Sequence, residues 1–254
     1  MVDLHCHILP GVDDGARDLS ESVKMAKKAV EQGIHTIVAT PHHLNNRYEN
    51  PKRTIIDRVE ELNQALREEK MNLTVLPGQE TRINGEMVAG YEAAEILPIN
   101  HTQYVLVEFS SSQVPRYAEK LFYDLQTKGL VPVVVHPERN QQIIEQPEIL
   151  YNLVEKGALT QITAASICGD FGKKIKTFSL QLIEANLTHF IASDAHNTVN
   201  RTFKMREAFD LVQNKYGNDY VYLFQENAEI VIEGGHVIKE VPERIKKKKF
   251  FKLF

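Results

Sequence analysis

The sequence predicts an α/β protein in which seven short strands alternate with helices, lie parallel and close, or nearly close, into a barrel. Three observations lead there. Seven apolar runs of strand length are separated by helical patterns, which implies a parallel sheet. The chain has 254 residues, 43% of them hydrophobic, with no Pro/Ser/Gly-rich linker and no internal repeat, which suits one large domain. No G-x-G-x-x-G follows the first strand, so the open doubly wound dinucleotide fold is disfavoured.

The elements follow in order. Val2 to His7 reads as the first strand. Asp18 and Glu21 form a D-x-x-E helix start, and Val23, Ala26, Ala29 and Val30 give an apolar stripe that stops at Gly33. Thr36 to Thr40 is a buried strand running into Pro41-His42-His43. Ile55, Ile56, Val59, Leu62 and Leu66 mark a long amphipathic helix, Leu73 to Leu76 the next strand, and Pro77-Gly78 leads to Gln79-Glu80. A helical turn is expected around Tyr91 to Ile96, then a strand from Tyr104 to Phe109. Helix Pro115–Lys128 ends at Gly129; strand Val131–His136 follows, then helix Pro147–Glu155. Strand Thr160–Thr163, helix Lys174–Ala185 and strand His189–Asp194 complete the alternation. Phe203 to Tyr216 is read as the last long helix, with a shorter one over Glu226 to Ile232.

In such barrels the site forms at the C-terminal ends of the strands, where the strand-to-helix loops converge. Metal-ligand residue types collect there. His5 and His7, two apart on an extended segment, project to the same side. Asp14 follows in a Gly- and Asp-rich turn. His42, Glu80, Glu108, His136, Asp194 and His196 sit at or just past the ends of later strands. Each alone has a plainer explanation, a solvated loop carboxylate or a packed histidine; their shared position does not. The set holds no plausible Cys ligand and suits Zn²⁺, Mn²⁺ or Fe. Nine donors exceed what one ion needs, and two or three ions sharing a carboxylate would use them, as in sites that activate water for phosphoryl transfer.

Composition excludes other classes. A net charge of −4 and a pI near 6.2 argue against a general nucleic-acid binder. No apolar run approaches the roughly 20 residues of a membrane span, and the first strand is expected from the second residue, so the start does not resemble a signal peptide. A cytoplasmic, reduced protein is expected. Cys6 and Cys168 lack the Arg six positions on that a cysteine phosphatase uses to cradle phosphate, since Val12 and Lys174 stand there; both are expected to be small buried hydrophobes.

Asp3-Leu4-His5-Cys6-His7, Ala39-Thr40-Pro41-His42, Val135-His136-Pro137-Glu138-Arg139-Asn140 and Ser193-Asp194-Ala195-His196-Asn197 resemble the motifs of the polymerase and histidinol phosphatase (PHP) superfamily. His5 to Gly15, Leu76-Pro77-Gly78-Gln79-Glu80 and Pro115-Arg116-Tyr117 are similar to one branch of it. That branch comprises the manganese-dependent protein-tyrosine phosphatases of capsule and exopolysaccharide operons in Gram-positive bacteria. The resemblance covers essentially the whole chain. It implies a distorted seven-stranded barrel with three metals: one on His5, His7, Glu80 and Asp194; a second on Glu80, Glu108 and His136, with Glu80 bridging; a third on Asp14, His42 and His196. Mn²⁺ is the expected ion, with Fe, Zn²⁺ or Mg²⁺ as substitutes. Arg139 and Arg201 correspond to arginines that act on the substrate phosphate, and His43 matches no ligand.

The implied reaction is hydrolysis of phosphotyrosine by metal-activated hydroxide without a covalent phosphoenzyme, the substrate being a bacterial tyrosine kinase with a phosphorylated tyrosine tail. The phenolate leaving group, with a pKa of about 10, needs little acid assistance. Two alternatives stand beside it: a small-molecule phosphatase such as a histidinol-phosphate phosphatase, and a non-enzymatic metal-binding partner of the kinase. The domain is expected over residues 1–243. The basic and aromatic tail from Arg244 to Phe254 suits either peripheral contact with an anionic membrane or a solvated end.

Overall fold

Strands that are buried on both faces need helices to cover them, and the sequence supplies the alternation that a parallel arrangement requires. The computed structural model describes residues 1–245, so the tail from Lys246 to Phe254 lies outside the described residues. The strands β1 (Val2–Cys6), β2 (Thr36–Ala39) and β4 (Thr74–Pro77) form a three-stranded sheet in the order β1-β2-β4. The strands β3 (His42–His43), β5 (Glu80–Arg82), β6 (Tyr104–Glu108), β7 (Val131–Val135), β8 (Leu159–Thr163) and β9 (Phe190–Ala192) form a six-stranded sheet in that order. Every pairing between these strands is parallel.

The fold class is therefore α/β with parallel sheets, and the strand count differs from the expected seven. Two expected strands are each broken in two. β2 stops before Thr40-Pro41, where proline has no N–H to donate, and β4 stops before Gly78-Gln79. A Cβ on Gly78 would lie 2.6 Å from Val38 Cγ1, so only glycine lets the chain step across there. Glu80–Arg82 forms a strand of its own, past the Leu73–Leu76 run expected from the sequence.

Helices α1 (Leu19–Glu31), α2 (Lys52–Glu68), α3 (Met87–Glu92), α4 (Ala118–Thr127), α5 (Gln141–Glu145), α6 (Glu148–Glu155), α7 (Ala164–Cys168), α8 (Lys173–Glu184), α9 (Met205–Tyr216) and α10 (Asn218–Glu233) fill the connections. Asp18 caps α1 by accepting from Glu21 N at 2.8 Å, as the D-x-x-E pattern requires. The turn expected at Tyr91–Ile96 lies earlier, as α3, because Gly90 and Ala94 end it: Glu95 N and Ile96 N both return to Gly90 O. The last long helix is α10 rather than α9: it runs 16 residues, Asn218–Glu233, where a shorter helix over Glu226 to Ile232 is expected. Cys6 is fully buried, but Cys168 is only partly so; burial pushes its thiol up to about 11.

Apolar side chains fall on two faces of the strands. Val2, Leu4, Val38, Leu106, Val133, Val135, Phe190 and Ala192 pack with one another and with Ala228 and Val231 of α10. A larger cluster, with Ile37, Ala39, Val105, Val107, Val134 and Ile191, packs under the flanking helices. Among the described residues no helix is long and apolar enough to cross a membrane.

Candidate metal centre

The chain delivers its donors at the C-terminal ends of the strands, one after another. His5 and His7 leave β1, and each ring is held at Nδ1. Gln161 donates its amide to Ile162 O, which leaves its Oε1 to accept from His5 Nδ1 at 2.8 Å. Asp13 Oδ2 accepts from His7 Nδ1 at 2.6 Å. With both Nδ1 atoms engaged, the two Nε2 atoms stand 3.2 Å apart, and such a pair needs a proton or a cation between them.

Glu80 Oε2 and Asp194 Oδ1 close on the same point. Glu80 lies 3.5 and 3.4 Å from the two Nε2 atoms, and Asp194 lies 3.6 and 3.4 Å from them. Around a tetrahedral ion bound at about 2.1 Å, ligand atoms are about 3.4 Å from each other. The separations among His5, His7 and Glu80 fit a bound cation, and Asp194, the fourth member of the expected first set, lies within 3.6 Å of both imidazoles.

The other five expected donors are close by, grouped somewhat differently. His42 Nδ1 lies 2.7 Å from Glu80 Oε2 and 3.7 Å from Glu108 Oε2, and these three can share an ion. His136, expected in that set, instead contacts the other oxygen of Glu80, with Nε2 2.8 Å from Oε1. Asp14 Oδ1 lies 3.4 Å from His42 Nε2 and 3.5 Å from His196 Nε2, and His7 joins them as a possible fourth donor. Buried polar atoms support the fit to cations: Glu80 Oε2, Glu108 Oε2 and His196 Nε2 have no hydrogen-bond partner among the described residues, although Arg82 stands 3.1 Å from Glu108.

The electrostatics point the same way. Burial and the charge of Glu80 push Glu108 up to about 7, since two carboxylates cannot both ionise cheaply without a countercharge. Burial opposes ionisation of Glu80, but the histidines around it, led by His42 and His5, hold it well below the usual carboxylate range. Burial likewise disfavours a charged His7, yet the Asp13 carboxylate overrides it and raises the ring well above its ordinary value. That is a place built to hold positive charge. Burial lowers His136 and His196 to about 4, helped by Arg139 and by His7 respectively, so both are neutral with a lone pair to donate at pH 7. His196 Nδ1 faces Asp194 O at 2.9 Å, which turns its Nε2 toward Asp14.

His136 and Asp194 have φ of 37° and 52°, left-handed values that a side chain with a Cβ adopts at a cost of order 1 kcal/mol or more. Strain at two of nine donors marks a functional site. Both arginines sit on its edge. Arg139 Nη1 donates to Asp194 Oδ2 at 2.7 Å, and its guanidinium lies 5.3 Å from the centroid of the half-exposed Phe171 ring. Arg201 approaches the same carboxylate at 3.3 Å and Asp14 at 3.6 Å.

Several residues of the site carry roles that the sequence pattern does not signal. Asp13 and Gln161 hold the His7 and His5 rings in place. Arg82 pairs with Glu108 and donates to Phe109 O at 2.8 Å. Asp3, buried beneath the centre, accepts from Ser193 N at 2.9 Å and Ser193 Oγ at 2.5 Å, which ties β1 to the turn that carries Asp194. Of these, only Asp13 offers a hint, because it stands beside Asp14 in the same turn. His43 is no donor to the cluster; its Nδ1 accepts from Asn50 N at 3.1 Å and helps hold the loop after β3.

Over residues 1–233 the chain matches the family described as capsular polysaccharide synthesis, CpsB/CapC. It belongs to that family. It is 49% identical over all 254 residues, and over the whole of both chains, to the tyrosine-protein phosphatase YwqE of Bacillus subtilis. It is 28% identical to the tyrosine-protein phosphatase CpsB of Streptococcus agalactiae, across 93% of this chain and all of that one. A solved structure from work on YwqE of B. subtilis and CpsB of Streptococcus pneumoniae, described as unique metal-dependent tyrosine phosphatases, superposes with a TM-score of 0.95. The two are 49% identical, and the match covers 97% of this chain and all of that one. An organophosphorus hydrolase variant from Deinococcus radiodurans, 12% identical over 91% of each chain with a TM-score of 0.55, shares the fold alone.

Proposed function

We propose that the chain is a metal-dependent protein-tyrosine phosphatase. The observation that carries the reading is the convergence of His5, His7, Asp14, His42, Glu80, Glu108, His136, Asp194 and His196, in a chain similar along its full length to proteins of that name. When bound, the ions, Mn²⁺ first among the candidates, would activate water and neutralise phosphoryl oxygens. The residues of the chain do the rest. Asp13 and Gln161 keep the His7 and His5 rings turned inward. Arg139 and Arg201, each anchored on Asp194 by part of its guanidinium, have N–H groups left to grip the non-bridging oxygens of a phosphate. No side chain is required as a nucleophile, and both cysteines are held as thiols by burial.

Phosphate release from a phosphotyrosine peptide and from histidinol phosphate, with Mn²⁺ and with chelator, tests the reading. Peptide turnover that needs both the metal and His136 supports it. Turnover of histidinol phosphate alone favours a small-molecule phosphatase, and none on either substrate favours a metal-binding scaffold.

The natural substrate in this reading is the phosphorylated tyrosine tail of a bacterial tyrosine kinase in capsule synthesis, acted on in the cytoplasm; the family description supports the capsule setting. Nucleic acid has no place in it. The nine strands among the described residues are read as seven tracks of a distorted barrel, β2 with β3 and β4 with β5. Asp194 N donating to His5 O and His7 N donating to Ala195 O support contact between the first and last tracks. One domain over residues 1–243 is retained. At the start of the expected tail, Arg244 pairs with Glu148 and lies 4.3 Å over the Tyr151 ring; the membrane role of the rest stays a proposal.

A further inference from the structure

A cavity of about 260 Å³ opens beside the donor cluster, lined by two of its residues, Glu108 and His136, and by Arg139 at its edge. Its walls also include Phe109 and Pro137, and the exposed Ser111 marks its solvent side. Size narrows what it can take. A cavity of about 150 Å³ lined by apolar side chains holds benzene, whereas sites for whole drug-sized ligands run from about 300 Å³ upward. The space suits one side-chain ring, with the rest of the molecule outside.

The walls are also preformed. Phe109 is 4% exposed and stacks on Phe122 with centroids 6.1 Å apart and planes 13° from parallel. The loop after it has no regular structure, yet hydrogen bonds staple it to the turn that follows β7. Asn140 Nδ2 donates to Ser110 O at 2.7 Å, Gln141 N to Ser111 O at 2.8 Å, and Val114 N to Gln142 Oε1 at 2.8 Å. The Asn140 carboxamide oxygen meanwhile caps α5 by accepting from Ile143 N at 2.9 Å. A loop bound at so many points to the segment that carries His136 and Arg139 keeps its distance from them fixed, and a pre-organised wall binds without an ordering cost.

We propose that this cavity is the slot for the phenol ring of the phosphotyrosine, with Phe109 and Pro137 against the ring and the phosphoryl group reaching the donors at the inner end. The inference rests on the phosphatase reading and deepens it. It gives a structural reason for aryl over alkyl phosphates beyond leaving-group chemistry: an alkyl ester such as phosphoserine leaves the apolar wall uncovered. Ser111 is exposed on the loop, so a larger side chain there can enter the slot without entering the core.

The test uses the Mn²⁺-loaded protein with phenyl phosphate as substrate and inorganic phosphate as competitive inhibitor, in the wild type, Ser111→Trp and Phe109→Leu. Inorganic phosphate needs the donors and arginines but no slot. The expected result is a KM for phenyl phosphate raised about tenfold in Ser111→Trp and about threefold in Phe109→Leu, with the inhibition constant of phosphate within about twofold of wild type. Unchanged KM in both variants, with an active wild type, overturns the slot and leaves the phosphatase reading standing. KM and inhibition constant rising together also overturn it, because the variants would then act on the centre itself. A wild type that leaves phenyl phosphate untouched while binding Mn²⁺ overturns the phosphatase reading, and the slot with it.

Discussion

Asp13→Asn is the substitution that best separates ligand orientation from ligand identity. The carboxylate accepts three hydrogen bonds: His7 Nδ1 at 2.6 Å and His42 N at 3.1 Å on Oδ2, and Gly15 N at 2.9 Å on Oδ1. Asparagine has the same shape, so the bond from Gly15 survives. Its amide NH₂ then replaces Oδ2, and an NH₂ facing His7 makes Nδ1 the acceptor and moves the ring proton to Nε2. The lone pair that faces Glu80 and Asp194 is lost without removing a single ligand. Loss of such an orienting partner typically weakens metal binding about 10- to 100-fold, or about 1.4 to 2.7 kcal/mol. Titrating the metal-free protein with Mn²⁺ by calorimetry reads this directly, with circular dichroism to confirm the fold. An Mn²⁺ affinity within twofold of wild type would refute the claim that Asp13 sets the His7 tautomer.

Three further outcomes are expected. Arg139→Lys should lower kcat/KM for a phosphotyrosine peptide about 100-fold, because an ammonium cannot bond Asp194 and a phosphate in the fork geometry; the bound Mn²⁺ measured by elemental analysis should not change. Gly78→Ala should destabilise by about 1–3 kcal/mol in urea unfolding, since its Cβ would stand 2.6 Å from Cγ1 of the fully buried Val38. His189, buried and held down to about 3 first by burial and then by Lys239, accepts from Thr160 N at 3.1 Å in its neutral form. Below about pH 6.5 the unfolded chain takes up a proton that the folded chain refuses, so stability falls toward low pH by up to about 1.4 kcal/mol per unit; His189→Asn should flatten that slope between pH 6.5 and 5, and an unchanged slope would sink the account.

How much of the molecule is legible in the sequence depends on whether a residue's role is local. The donors are legible because strand ends are readable from apolar runs and because His and carboxylate side chains cluster just past them. Gln161 is not, since it reaches His5 from 156 residues away and glutamine in a strand carries no signal of its own. Glu80–Arg82 is not legible as a separate strand because Glu-Thr-Arg has no apolar content; the strand forms since Glu80 and Thr81 are buried against the centre and against Gln79. The short helices α5 and α7, each 5 residues, escape detection because so few residues show no period. Their starts are set by tertiary contacts, such as Glu138 Oε1 accepting from Thr163 N and Ser166 Oγ just ahead of and within α7.

The same dependence explains why the donors sit where the strands become irregular. In a regular strand alternate residues face one side, so Val2 and Leu4 of β1 would be followed inward by Cys6. Instead the pairing of β1 with β2 slips by one residue between Asp3 and Cys6, where three steps on β1 match two on β2. Such a bulge re-aims the side chains beyond it. Leu4 packs among the inner apolar residues while Cys6 packs in the outer cluster, and His5 and His7 take the side toward Glu80 and Asp194. At the end of β7 the left-handed His136 does the same after Val133 and Val135. The breaks at Thr40-Pro41 and Gly78-Gln79 bring His42 into register with Glu80 across β3 and β5. An unbroken set of strands would close the apolar layer over the place where the donors meet. The bulge, the left-handed residues and the two breaks are the irregularities that open it, and each supplies a donor at the opening.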